Sequence, residues 1–154
     1  PLAHVVSGTA FKFSDGAIAI KTKNYNRGDI QHRLKEYNPD GKHLNVKMFR
    51  SHAKSIAKAL SELHAQNKVH MDVKPDNTVA NTNKSRYTTA RLIDLGKVRS
   101  IGEAYDGTSG PMALYAPEAI RGIENPHFKY KVFTAENDIY SYGLLLYFMA
   151  AGIE

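Results

Sequence analysis

The sequence contains no cysteine, which excludes a disulfide framework and a thiolate metal site. This absence fits a reducing compartment, and we predict a cytoplasmic location. The first twenty residues also lack a basic start followed by a continuous apolar run, so no signal peptide is predicted. The apolar run over residues 139–149 is too short to cross a bilayer and contains tyrosine and serine, so we expect a soluble chain with no transmembrane segment.

The length of 154 residues and the apolar fraction of 42% are those of one globular domain. A formal net charge of +6 suits acidic partners such as nucleotide phosphates, anionic lipid or an acidic protein surface. Dispersed lysines that only keep a protein soluble would give the same balance. No nucleic-acid partner is predicted. The chain starts at Pro1 and stops at Glu154 just after a predicted helix, so we expect a fragment or a processed product.

Residues 69–77, V-H-M-D-V-K-P-D-N, place three chemically active side chains on one short loop. Asp72 can accept a proton from an attacking hydroxyl, Lys74 can neutralise a phosphoryl oxygen, and Asn77 can offer its side-chain oxygen to a metal ion. Alone, Asp72 would more often be a turn residue and His70 a buried structural histidine. The chemistry therefore requires partners elsewhere in the chain.

Those partners follow in order. Residues 92–96, L-I-D-L-G, bring Asp94 out of a short apolar strand, and Gly96 permits the backbone to turn. The sequence A-P-E follows at residues 116–118, and N-D-I-Y-S-Y-G at residues 137–143. Together with the pattern H-x-D-x-K-x-x-N, these segments resemble the catalytic loop, metal-binding segment, activation segment and supporting helix of serine/threonine protein kinases.

The resemblance implies an α+β, kinase-like fold with a reduced, β-rich N-lobe over residues 1–49 and a partial, mostly helical C-lobe over residues 50–154. It implies transfer of the γ-phosphoryl group of ATP to a Ser or Thr hydroxyl of a protein substrate, with Mg²⁺ as the metal.

By the same resemblance, each polar residue has an expected role. Asp72 orients the nucleophile, and Lys74 steadies the phosphoryl group and favours Ser or Thr as acceptor. Asn77 and Asp94 hold Mg²⁺. Asp138 bonds the backbone of the catalytic loop, and His70 is expected to bond that backbone and pack on Leu95.

A hairpin is predicted over residues 7–21, with the turn S-D-G at residues 14–16. It resembles the end of a kinase glycine-rich loop followed by the strand that carries the ATP-binding lysine. The resemblance implies that Gly8 approaches the phosphates, Ala19 lies against adenine and Lys21 reaches the α and β phosphates. Only Gly8 of the glycine set is present, and Lys21 alone would read as a solvated strand-edge residue.

A helix is predicted over residues 27–37, ending at N-P-D-G. In a kinase this helix carries a glutamate that pairs with the strand lysine, and Glu36 is the available candidate. Glu36 could equally be a surface partner of Arg33 or Lys35. Residues 43–48 alternate apolar and polar side chains and could form a strand that replaces the adenine-contacting hinge.

The most regular segment is a helix over residues 49–64 that leads into the catalytic loop. The residues on its apolar face are Phe49, Ala53, Ile56, Ala57, Leu60, Leu63 and His64. The resemblance places Val79 under the adenine ring. It also makes residues 94–118 the activation segment, in which Thr108 or Ser109 could bond the catalytic residues.

Two departures carry further predictions. Arginine is usual where Met71 stands, and methionine cannot pair with a phosphate, so we predict activity without activation-segment phosphorylation. The predicted helix over residues 138–152 is apolar nearly all round, which implies a missing segment, a dimer or a bound, stabilising protein partner. The arginine that usually pairs with Glu118 would be expected beyond Glu154.

The compact form resembles the small kinases that pathogenic bacteria inject into host cells, which would place the protein in host cytoplasm, acting on host signalling. Two other functions stay open. A pseudokinase or binding scaffold would explain the missing glycines. A small-molecule phosphotransferase shares the aspartate and asparagine, but Lys74 and the A-P-E segment argue against it. Scattered histidines such as His64 make no other metal site.

Overall fold

The computed structural model describes residues 4–6, 8–25, 28–32, 44–82, 88–104, 114–124 and 132–152, and these form an α+β fold. The strands are β1 (Gly8–Lys12), β2 (Ile18–Thr22), β3 (Lys68–Val69), β4 (Thr78–Thr82), β5 (Thr88–Leu92) and β6 (Arg99–Ser100). The helices are α1 (Val46–His64), α2 (Pro117–Glu124) and α3 (Ala135–Ala151). The strands pair antiparallel as β1–β2, β3–β6 and β4–β5.

The β1–β2 hairpin confirms the hairpin predicted near the start of the chain. Its turn is closed by the Phe13 amide, which donates to the Ala17 carbonyl at 2.8 Å, and by the Ala17 amide, which donates to Asp15 Oδ1 at 2.9 Å. Gly16 has φ of 87°, a left-handed conformation that glycine adopts without a steric penalty. All residues of both strands are exposed.

Helix α1 begins earlier than predicted. The Asn45 side chain accepts a hydrogen bond from the Met48 amide at 3.0 Å, which satisfies one of the free amides of the first turn. The predicted strand over residues 43–48 is therefore wrong for its described part, because this cap starts the helix at Val46. The helix also runs across the predicted lobe boundary between residues 49 and 50.

The buried face of α1 is rotated slightly from the predicted one. Ala57 is exposed, and Phe49, Ala53 and His64 are half-buried. The buried residues of the helix are His52, Ser55, Ile56, Ala59, Leu60 and Leu63. Ser55 is accommodated because its hydroxyl donates to the Ser51 carbonyl at 2.8 Å.

The main core lies where α1 packs against β5 and α3. Its buried residues are Val5, Ile30, Leu44, Ile56, Ala59, Leu60, Leu63, Val73, Ala90, Leu92, Leu145 and Met149. Residues 4–6 join this core beside β5, because the Val6 amide donates to the Leu92 carbonyl at 2.9 Å. The His4 side chain pairs with Glu62 of α1 at 2.6 Å. The segment that precedes the hairpin is thus attached to the helical part of the molecule.

Helix α3 starts three residues before the predicted position. The Thr134 amide donates to Asn137 Oδ1 at 3.0 Å at its start, and Gly152, with φ of 67°, ends it by donating to the Phe148 carbonyl. Its exposed face is more open than predicted, since Ile139 is 53% and Tyr147 62% exposed. None of the described helices combines the length and the apolarity needed to cross a membrane.

Candidate active site

The backbone of the loop that follows β3 is hydrogen-bonded to one carboxylate of α3. Asp138 Oδ2 accepts from the His70 amide at 2.8 Å, and Asp138 Oδ1 accepts from the Met71 amide at 2.9 Å. The His64 ring lies 2.8 Å from Asp138 Oδ2 as well. Asp138 is 1% exposed, so its charge is compensated by these donors rather than by water. The geometry matches the contact with the loop backbone predicted for Asp138.

His70 links this loop to the segment that carries Asp94. Its Nε2 donates to the Ile93 carbonyl at 3.1 Å, and its Nδ1 accepts from the Asp72 amide at 3.3 Å. Both ring nitrogens are thus engaged in the neutral form. Burial lowers the pKa of His70 below its usual value, against the opposing influence of Asp138. The predicted backbone bond of His70 is present, while Leu95 is 40% exposed.

Asp72 lies in a ring of donors. Lys74 Nζ is 3.2 Å from Asp72 Oδ2, and Lys97 Nζ is 3.2 Å from Asp72 Oδ1. Asn77 Nδ2 donates to Oδ2 at 2.7 Å and to the Asp72 carbonyl at 3.0 Å. Burial acts to raise the pKa of Asp72, but hydrogen bonds and charge from Lys74 and Lys97 outweigh it and lower the pKa. The carboxylate is therefore ionised at neutral pH.

The structure brings Asn77 next to the segment of Asp94. The Ile93 amide donates to the Asn77 carbonyl at 3.0 Å. Asp94 is the next residue after Ile93, so this hydrogen bond holds its backbone near Asn77. Asp94 has a left-handed backbone (φ 60°), and its Oδ1 accepts from the Gly96 amide at 3.1 Å. Because the side-chain N–H groups of Asn77 donate to Asp72, Asn77 Oδ1 is the side-chain atom that can contact a cation.

This donor set fits Mg²⁺. Mg²⁺ is usually held by one or two carboxylates and completes its shell with water and substrate phosphates. Asp94 could offer a carboxylate and Asn77 an amide oxygen to such a cation, and the metal-binding roles of the two residues stay predictions. Among the described residues, no cluster of three or more His, Asp or Glu side chains has the spacing of a metal site. The pair therefore suits a metal that arrives with a nucleotide.

A cavity lies between the hairpin and the Asp94 segment. Its volume of about 640 Å³ is within the usual range of small-molecule sites. It is lined by Val6, Gly8, Ala10, Ile20, Thr22, Ile93, Asp94, Leu95 and Gly96. A Cβ atom on Gly8 would lie 2.7 Å from Ile20 Cγ2 and 2.9 Å from the Lys21 carbonyl oxygen. A side chain at position 8 would therefore collide with β2, and the predicted place of Gly8 beside the phosphates stays a prediction.

Ala19 and Lys21 do not line this cavity. In the antiparallel register Ala10 pairs with Ile20, so Ala10 and Ile20 share the face that lines this cavity. Ala19 and Lys21 alternate with Ile20 and lie on the opposite face. Lys21 instead lines a second, more polar depression of about 470 Å³ on the hairpin. Side chains alternate along a strand, so a hairpin that turns Ile20 toward the cavity turns Ala19 and Lys21 away from it, and their predicted contacts with the nucleotide stay predictions.

The remaining predicted residues lie away from this cavity or outside the described residues. Val79 is half-buried on β4, forms a bridge with Asp29 and is not among the residues that line this cavity. Glu36, Thr108 and Ser109 lie outside the described residues. Their predicted roles stay predictions.

Met71 occupies a distinct apolar position. It is 5% exposed and has φ of 63°, an uncommon backbone for a residue other than glycine. Its cluster consists of Val69, Met71, Tyr115, Ala116, Ala119 and Phe133. The residue that replaces the usual arginine therefore packs on the A-P-E segment, whose Glu118 is exposed.

Comparison with known proteins agrees with this arrangement. A family model described as the protein kinase domain matches residues 4–154, and the chain belongs to the protein kinase family. The resemblance seen in the sequence is thereby confirmed.

Named relatives include kinases of more than one acceptor class. The chain is 31% identical to the serine/threonine-protein kinase mos of Patiria pectinifera, over 96% of this chain and 40% of that protein. It is 37% identical to the serine/threonine-protein kinase dkf-2 of Caenorhabditis briggsae, over 63% of this chain and 8% of that protein. It is 30% identical to the tyrosine-protein kinase SPK-1 of Girardia tigrina, over 74% of this chain and 22% of that protein. The chain thus spans 40% or less of the length of these three relatives.

Proposed function

We propose that this chain is the catalytic part of an ATP-dependent protein kinase that phosphorylates Ser or Thr hydroxyls. The observation that supports the proposal most is the position of Asp72. It is a buried, ionised carboxylate that contacts Lys74 and Asn77, while Asn77 is bonded through its backbone to the Asp94 segment. Family membership and the relatives named serine/threonine-protein kinase support the same reaction.

The chemistry assigned to each residue follows from these contacts. Asp72 accepts a hydrogen bond from the acceptor hydroxyl and aligns it for attack, and Lys74 places positive charge beside the transferring phosphoryl oxygens. Asn77 and Asp94 hold the metal. Bound Mg²⁺ would screen the negative charge of the nucleotide phosphates. The cavity beneath Ile20 and Ala10 has room for the nucleotide base.

A pseudokinase is the second candidate, and one observation favours it. Lys21 lies on the face of the hairpin opposite the cavity of Asp94, so the described geometry does not bring the two together. A chain that keeps this arrangement could bind a partner without transferring phosphate. A role as a bacterial effector, a cytoplasmic location and an activating partner stay predictions.

The test combines nucleotide binding with transfer. Thermal unfolding is measured with and without Mg²⁺–ATP for the natural chain, Asp94→Asn and Lys21→Ala, followed by γ-phosphate transfer to a Ser/Thr-containing protein and to a Tyr-only peptide. A kinase shows nucleotide stabilisation that requires Asp94 and transfer that is lost in Asp72→Asn. Binding without transfer supports the pseudokinase. If a folded sample shows no nucleotide binding and no phosphate transfer, both the kinase and a nucleotide-binding pseudokinase are excluded.

The replacement of arginine by Met71 adds a regulatory element to the proposal. The Met71 side chain is buried beside Tyr115 and Ala116, so the catalytic loop contacts the A-P-E segment through apolar side chains. This contact needs no phosphate group. Phosphatase treatment should therefore leave activity unchanged. A loss of activity after treatment would contradict this part of the proposal.

A further inference from the structure

Lys97 is a charged residue at the site for which no role was predicted. Its Nζ lies 3.2 Å from Asp72 Oδ1, whereas the 3.2 Å contact of Lys74 Nζ is with Asp72 Oδ2. The Lys97 side chain is 30% exposed and the Asp72 side chain 3% exposed. The lysine thus reaches from the rim of the site onto an almost fully buried carboxylate.

The backbone holds Lys97 in this place. Asp94 starts a tight turn over Leu95–Lys97, which is closed by the Val98 amide donating to the Leu95 carbonyl at 3.1 Å. The chain then enters β6, where Arg99 pairs with Val69 of β3. Because that pairing is antiparallel, the residues just before β6 run alongside those just after β3. Lys97 is therefore carried to the loop of Asp72 by two fixed elements.

The two lysines leave the site with one positive charge in excess of the carboxylate they contact. A buried carboxylate needs such compensation, and one lysine with the Asn77 amide already provides much of it. A further cation at this point holds Oδ1 in one direction. It also places charge within reach of the region where negative charge develops during transfer.

We propose that Lys97 is a positioning residue for Asp72, which clamps its Oδ1 oxygen opposite Lys74 and thereby aligns the carboxylate that receives the acceptor hydroxyl. This inference rests on the proposed kinase function. It differs from an inhibitory contact, in which Lys97 would only occupy Asp72 and its removal would raise activity.

Kinetics of Lys97→Met, Lys97→Arg and the control Lys54→Met test the clamp. Lys54 is exposed on α1, so its replacement removes the same charge away from the site. Lys97→Met should lower kcat on the order of tenfold, with little change in KM for ATP, and Lys97→Arg should restore most of it. An unchanged or raised kcat in Lys97→Met overturns the inference.

A second measurement does not depend on catalysis. Lys97→Met should lower the thermal unfolding midpoint of the natural chain. In the Asp72→Asn background the same substitution should lower the midpoint by no more than about half as much, because the stability effects of substitutions at contacting residues are not additive. Equal shifts in both backgrounds overturn the inference. If the natural chain transfers no phosphate, the proposed function has failed, and the two thermal shifts alone decide whether Lys97 holds Asp72.

Discussion

The Asp138 carboxylate fixes Met71 in a left-handed backbone conformation, with the Met71 amide donating to Asp138 Oδ1 at 2.9 Å. Such a backbone is strained for a side chain other than glycine and persists only where surrounding contacts impose it. Here the contact comes from a helix 67 positions further along the chain. The conformation of the loop at Asp72 thus depends on the docking of α3.

Asp138→Asn should destabilise the protein by about 1–3 kcal/mol, because an amide can accept from only one side and leaves a buried donor unsatisfied. Urea denaturation measures the loss. Asp76→Asn, the same change at an exposed carboxylate, is the matched control and should have a much smaller effect. Equal effects of the two variants would show that Asp138 does not support the loop.

Met71→Ala should cost about 2–4 kcal/mol of unfolding free energy, because it leaves a cavity beside Tyr115 and Phe133 in an apolar cluster. Met71→Leu, which conserves volume, should cost less than about 1.5 kcal/mol. Denaturant unfolding of both variants gives the comparison. A loss below about 0.5 kcal/mol in Met71→Ala would place this side chain outside the packed core.

Acidification should destabilise the protein through His70. Its folded pKa lies below the usual value of 6.5 because of burial, so the unfolded chain binds the proton first as pH falls. The stability contributed by the neutral ring is complete above about pH 6.5 and is lost as pH falls below that value toward the folded pKa. Denaturation midpoints at pH 7.5 and 5.5 test this. His70→Asn should reduce the pH dependence, and an unchanged slope would assign it to other groups.

The fold and the site were predictable to different depths. The hairpin and its turn were predicted well, because their signal lies within a few neighbouring residues, whereas the metal-binding roles of Asn77 and Asp94 stay predictions. The hairpin register depends on the geometry of its turn, and the contact of Lys97 with Asp72 depends on the pairing of β3 with the distant strand β6. Residue spacing specifies neither of them. The start of α1 was missed because Asn45 acts as a cap within a stretch that alternates like a strand.

Gly8→Ala should weaken nucleotide binding and distort the hairpin, since its Cβ would approach Ile20 Cγ2 to 2.7 Å. The matched control is Gly143→Ala in α3, where a Cβ has no neighbour within 4 Å. That control should raise stability by about 0.5–1 kcal/mol, because alanine favours a helix over glycine. Mg²⁺–ATP thermal shifts compare them. A full shift in Gly8→Ala would mean that nucleotide does not approach this strand.

The two walls of the cavity, the β1–β2 hairpin and the Asp94 segment, differ in rigidity, because every residue in β1 and β2 is exposed. The floor at Asp94 is tied through Ile93 to Asn77 and His70, whereas the roof has little buried surface to lose when it opens. The hairpin can therefore fray or swing at a small free-energy cost while the floor keeps its shape. Nucleotide exchange would then be governed by local opening of the roof, and the alignment of Asp72 would survive each exchange.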